Sequence, residues 1–136
     1  MDYLARREYG ERELARKLTA RGFDAGLVEA AVDRLVADGL LSDRRFAEAF
    51  VHSRYQQGSG PQKIHAELRQ RGIDDCLIDA SLEVVAEQWL ERLRQVREKK
   101  FGPELPQVFS ERNRQIRFLQ QRGFTSEQIF AVLKGE

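Results

Sequence analysis

Arg21-Gly22-Phe23, Arg71-Gly72-Ile73 and Arg122-Gly123-Phe124 are three copies of one tripeptide, 50 and 51 residues apart. The flanks repeat with it. Leu18, Leu68 and Leu119 precede the copies at one offset, while Val28 and Val32, Ile78 and Leu82, and Ile129 and Leu133 follow at another. A self-similar period of this length signals tandem structural units. The tripeptide itself reads as a helix stop. A glycine just past the last helical turn adopts the left-handed conformation, and the residue after it packs back on the apolar residue four before the glycine. Leu18 with Phe23, Leu68 with Ile73 and Leu119 with Phe124 fit that geometry, as do Leu35 and Leu40 around Gly39. Asp24, Asp74 and Thr125 then stand where the next helix needs an N-cap, and Gln128 completes a capping box with Thr125.

Working outward, each unit reads as three helices. The first helices are predicted over Tyr3–Tyr9, Asp43–Gln57 and Gln88–Lys100. In the second copy Phe46, Ala47, Phe50, Val51 and Tyr55 share one face at helical spacing. The second helices are predicted over Glu11–Arg21, Pro61–Arg71 and Glu111–Arg122, with Gly60-Pro61 suited to an N-cap and first helical position. The third helices are predicted over Ala25–Asp38, Asp75–Glu87 and Ser126–Lys134. Gly102–Phe109, with Pro103 and Pro106, is a loop, and no segment alternates like a strand. The expected fold is all-α: three tandem three-helix repeats, at 1–41, 42–86 and 87–136, forming an elongated, curved modular array. Tyr9, Phe46, Phe50, Leu18, Leu68, Leu119 and Trp89 are expected in the core.

The 136 residues carry 23 Lys+Arg and 22 Asp+Glu, a formal net charge of +1. The total hides an arrangement. Residues 3–23 and 42–73 each hold six basic residues against three acidic, and residues 89–123 hold nine against four. The segments 24–41, 74–88 and 124–136 are net −3, −5 and −1. The first two helices of every repeat are therefore basic and the third is acidic. A basic stripe of this kind attracts phosphates or an acidic protein surface, with strong salt dependence.

Catalytic signatures are missing. His52 and His65 lie thirteen residues apart with no HExxH pattern or cysteine cluster, so no metal site is expected. The single cysteine, Cys76, excludes an intramolecular disulfide and, beside Leu77 and Ile78, reads as an inert, largely buried thiol. Gly58-Ser59-Gly60 lacks the context and ending of a phosphate loop. No cofactor, small-molecule substrate or membrane contact is expected, and the absence of a signal-peptide pattern or long apolar run points to a cytoplasmic setting.

Leu4-Ala5-Arg6-Arg7-Glu8-Tyr9, with Glu13-Leu14 and Lys17-Leu18 ahead of the first tripeptide, resembles the opening repeat of the RecX family. The second repeat is more similar still, through Asp43-Arg44-Arg45-Phe46-Ala47, Arg54, Gly60, Lys63-Ile64 and Glu67-Leu68. The likeness spans the chain and is weakest in the third repeat. Lys63 stands where arginine is frequent, which keeps the charge but loses the bidentate fork. The chain begins almost at the first motif, where such proteins commonly carry a short leader, so Met1 is expected to be a trimmed or late start. What the resemblance implies is a non-enzymatic negative modulator of the RecA recombinase. Such proteins bind the groove of the RecA–single-stranded-DNA filament and suppress strand exchange, ATP hydrolysis and co-protease activity, by blocking extension or promoting disassembly.

The contact residues expected on this reading are the basic side chains of the first and second helices. They are Arg6, Arg7, Arg16, Lys17, Arg44, Arg45, Arg54, Lys63, Arg69, Arg94, Arg97, Lys99, Lys100, Arg114 and Arg117. They would meet RecA and the single strand within the filament, with weak binding of free DNA at most. Arg21, Arg71 and Arg122 read as complements to helix C-terminal dipoles. Two other readings stay open: tandem helix-turn-helix units that bind DNA without RecA, and a helical scaffold with no nucleic-acid role. The acidic third helix, where a recognition helix would lie, counts against the former.

Overall fold

The structure, a computed structural model, describes residues 9–134. Eight α-helices and one short 3-10 turn (Ala86–Gln88) make up the described residues, with no strand. Repeat 1 contributes α1 (Glu11–Ala20) and α2 (Ala25–Ala37). Its predicted first helix, Tyr3–Tyr9, lies outside the described residues except for Tyr9. Repeat 2 contains α3 (Asp43–Gln56), α4 (Pro61–Gln70) and α5 (Asp75–Glu83). Repeat 3 contains α6 (Trp89–Phe101), α7 (Phe109–Gln121) and α8 (Ser126–Leu133).

The helix stops form as the sequence dictates. Phe23, Ile73 and Phe124 donate their backbone N–H to Leu18, Leu68 and Leu119 at 3.3, 3.1 and 3.2 Å, and Leu40 does the same to Leu35 at 2.9 Å. Asp24 caps α2 through Gly26 and Leu27 N–H, and Thr125 and Gln128 close a capping box on α8. Asp74 has the extended backbone of an N-cap but makes no side-chain cap bond. Helix α5 also ends at Glu83, four residues before the expected Glu87. Val84 and Val85 follow; paired β-branched residues are poor helix formers, and the chain must turn to deliver Trp89 to the core.

Within repeats 2 and 3 the first helix packs mainly against the third. Their apolar faces merge into a single core that includes Phe46, Val51, Ile64, Leu68, Ile78, Trp89, Leu93, Leu119, Phe124 and Ile129. Trp89 lies at the seam, edge-on to Tyr55 (5.3 Å) and to Phe124 (6.2 Å). Repeat 1 has its own smaller cluster of Tyr9, Leu14, Val28, Val32 and Leu41. Phe50 and Leu18, expected in the core, are half-buried against these clusters. Cys76, expected buried, is exposed. Two residues is about 200° of helix rotation, so the face that buries Ile78 turns Cys76 to solvent. Local stability follows buried apolar contact. Amides of α1 and α2 should therefore exchange at least ~10-fold faster than those of α4 and α7 in native-state hydrogen exchange. Uniform protection across all eight helices would count against separate clusters.

The Arg-Gly-apolar turns do more than stop helices. The start of α1 sits on the second copy of the turn, and the start of α4 sits on the third. At the first joint, Glu11 N–H donates to Asp43 Oδ1 at 2.7 Å, Arg71 pairs with Glu13 at 2.5 Å, and the Arg71 guanidinium lies 5.1 Å from the Phe50 ring centre. At the second joint, Gly60 N–H donates to Arg122 O at 2.6 Å and Gln62 N–H to Gly123 O at 2.9 Å. Arg71 and Arg122 therefore brace neighbouring repeats, a role beyond the dipole complement expected from sequence. In repeat 1 the residue after the turn glycine is left open: Phe23 is 57% exposed, against 5% for Ile73 and 1% for Phe124.

Candidate nucleic-acid interface

Helix α6 presents Arg92, Lys99 and Lys100 along one face, and α7 presents Arg114, Arg117, Phe118 and Arg122 along another, both at helical spacing. A cleft of about 490 Å3 opens between these helices and the end of α3, and one of about 500 Å3 opens between α6 and α7. They share Lys100 and Phe118, so they adjoin as two halves of one groove, and among the described residues no carboxylate lines either. The floor is aromatic. Phe101 and Phe118 meet edge to face at 5.3 Å, both half-buried. Lys100 and Arg122 lie 5.6 and 5.1 Å from the Phe118 ring centre, and Arg114 lies 5.0 Å from that of Phe101.

Two arginines close the α3 end. Arg92 donates from Nε to Tyr55 O (2.9 Å) and from Nη2 to Gln56 O (2.8 Å), and Arg122 Nη1 donates to Gln57 O (3.4 Å). They satisfy carbonyls that a helix C-terminus leaves open and complement its dipole. Because their partners are neutral, their charge remains available to a ligand. Arg114 differs: it chelates Glu111 through two 3.1 Å bonds, which hold the Glu111 carboxyl below its ordinary range and raise the guanidinium.

Of the residues expected from sequence, Lys99, Lys100, Arg114 and Arg117 come together here. Arg6 and Arg7 lie outside the described residues. The others line neither cleft, and several face carboxylates. Arg44 approaches Glu48, Arg54 Glu67, Arg69 Asp75 and Arg94 Glu91, at 3.4–3.7 Å. Arg16 reaches Gln70 O at 3.4 Å, and Lys17 donates to the Tyr9 hydroxyl at 3.2 Å. Arg45 and Lys63 are exposed.

Arg97 lies inside the protein. Expected as an exposed contact, it is 2% exposed and donates to Glu104 O, Pro103 O and Gln115 Oε1 at 3.1–3.4 Å. Trp89, Leu93, Val96 and Arg97 share one helix face, so its side chain turns inward, where it holds the 102–108 loop to α6. Arg97→Ala should cost about 2–4 kcal/mol through lost charge-assisted bonds, whereas Lys99→Ala should change stability by under about 0.5 kcal/mol, both read from chemical denaturation. Arg92 and Arg122 are the groove residues that sorting by helix missed. Arg92 sits seven residues, close to two turns, before Lys99, which was the available signal.

The first joint has the opposite sign. A cleft of about 540 Å3 there is lined by Glu11, Asp43, Asp74 and Asp75 with Arg12 and Arg69. Burial pushes the Glu11 carboxyl above the ordinary carboxylate range, and Asp43 and Asp33 add to the shift. At these clefts charge sorts by joint as well as by helix.

No described helix is long and apolar enough to cross a membrane. Residues 1–35, 42–82 and 86–133 match the first, second and third three-helix domains of RecX. A regulatory protein RecX of Halorhodospira halophila is 50% identical over 129 residues, which is 95% of this chain and 80% of that protein. The regulatory protein RecX of Pseudomonas syringae pv. tomato is 47% identical over 135 residues, 99% of this chain and 87% of that protein. The crystal structure of RecX from Lactobacillus salivarius superposes with a TM-score of 0.84 at 20% identity, covering 98% of this chain and 88% of that one. A second crystal structure of a regulatory protein RecX gives 0.81 at 26% identity, covering 99% and 68%.

Proposed function

Because this chain belongs to the RecX family, a family of regulatory proteins, we propose that it is a negative modulator of RecA. It binds the groove of the RecA–single-stranded-DNA filament and lowers recombinase, ATPase and co-protease activity by blocking filament extension or promoting disassembly. The observation that carries this reading is the pair of oppositely charged clefts at the two inter-repeat joints. A filament of protein on DNA offers both signs of surface side by side, and two joints of opposite sign on one chain can engage both. Free duplex offers phosphates and base edges but no positively charged surface, and α5, where a recognition helix would lie, opens on Asp74-Asp75.

The test is RecA-dependent ATP hydrolysis on single-stranded DNA with this protein in substoichiometric amounts. Hydrolysis should fall at low salt and recover as salt rises, because the contacts are largely electrostatic. Undiminished hydrolysis at low salt overturns the proposal.

A further inference from the structure

We infer that the groove between α6, α7 and the end of α3 is a binding site for one strand of nucleic acid, taking phosphates on Arg92, Lys99, Lys100, Arg117 and Arg122 and a base against Phe118. The inference rests on the filament reading and adds to it the site at which this chain takes the strand.

Convergence of these cations is the first argument. Like charges gathered on two adjacent helices repel one another and destabilise the folded chain. Several of the same residue types elsewhere are matched locally by carboxylates: Arg44 with Glu48, Arg69 with Asp75 and Arg94 with Glu91. In the groove, Glu111 matches Arg114 alone, and among the described residues the lining holds no carboxylate. An external polyanion supplies what is missing.

Phe118 is the second argument, and it selects the polyanion. Its ring separates the two halves of the groove, half-buried, with Lys100 and Arg122 at 5.6 and 5.1 Å. A cation-flanked aromatic ring beside a charged groove is how proteins hold single strands, whose bases expose a π-face that duplex keeps stacked. The carboxylates of an acidic protein segment gain nothing from the ring. Arg114, Arg117 and Phe118, and Arg122 beyond them, run about 12 Å along α7, enough for more than one phosphate to follow the helix.

The test is fluorescence anisotropy of labelled oligothymidine, without RecA, across a salt series. Replacing Lys99, Lys100 and Arg117 together by Gln should weaken binding and lower the magnitude of the log–log salt slope by about 2, at about 0.7 per lost phosphate contact. Phe118→Leu should weaken binding about ten-fold with the slope unchanged, and Phe118→Tyr should restore it. Arg34→Gln, on exposed α2, is the control and should bind as the unaltered chain does. Thermal melting of each variant separates lost binding from lost fold.

Unchanged affinity and slope in the triple variant overturn the site. So does a polyglutamate peptide that binds the groove more tightly than oligothymidine, with indifference to Phe118→Leu, because the ligand would then be acidic protein. ATP hydrolysis by RecA is followed with the same preparations. Failure of the unaltered chain to inhibit it overturns the filament reading, while anisotropy separately decides the groove.

Discussion

Gly123→Ala should lower the free energy of unfolding by about 3–5 kcal/mol, whereas the same change at Gly22 should cost only about 1 kcal/mol. The two glycines occupy the same place in their repeats and have nearly the same backbone, φ +100° and +95°. A Cβ at either one strains the left-handed conformation. At Gly22 that is the whole effect, since the added atom meets nothing within 4 Å. At Gly123 it would also press on the Lys63 side chain and lie 2.7 Å from Lys63 N, backbone that cannot withdraw without opening the joint. That joint holds Gly60 N–H on Arg122 O and Gln62 N–H on Gly123 O, so the damage spreads to two hydrogen bonds. Urea denaturation of both variants gives the comparison. Equal losses would mean that the turn serves only as a helix stop.

Trp89→Ala should cost about 3–5 kcal/mol, the range for truncating a large buried aromatic. The side chain touches Tyr55 from repeat 2 and Phe124 from repeat 3, and it lies in a core that includes Ile64 and Leu119. Its loss should therefore lower amide protection in α3–α5 and α6–α8 together, while α1 and α2 change least. If only α6–α8 lose protection, the two repeats do not share a core.

The helix stops were legible because their geometry is local: a glycine, an apolar residue after it, and another four residues before suffice. The joints were not, because they depend on which turn meets which helix start. One trace did lie in the sequence. Gly10 and Gly60 both stand twelve residues ahead of the turn glycines Gly22 and Gly72, and both sit where a neighbouring repeat approaches closely. Gly60 lies against the Gly123–Phe124 backbone, and Gly10 against Ile73 and Asp43. Arg97 was misplaced because charge outweighed periodicity in reading it, although its spacing from Trp89 and Leu93 points inward. The groove was half legible. Lys99, Lys100, Arg114 and Arg117 follow from the excess of basic residues, but Arg92 and Arg122 join them only through the carbonyls of α3, which no spacing along the chain reveals.

A surface that engages protein and DNA at once is measured most directly by the affinity of the full chain, at one fixed salt concentration, for RecA alone, for single-stranded DNA alone and for RecA assembled on that DNA. Two sets of contacts held on one chain reinforce each other, so the filament should bind at least ~100-fold more tightly than either component. Equal affinity for the filament and for bare single-stranded DNA would contradict it.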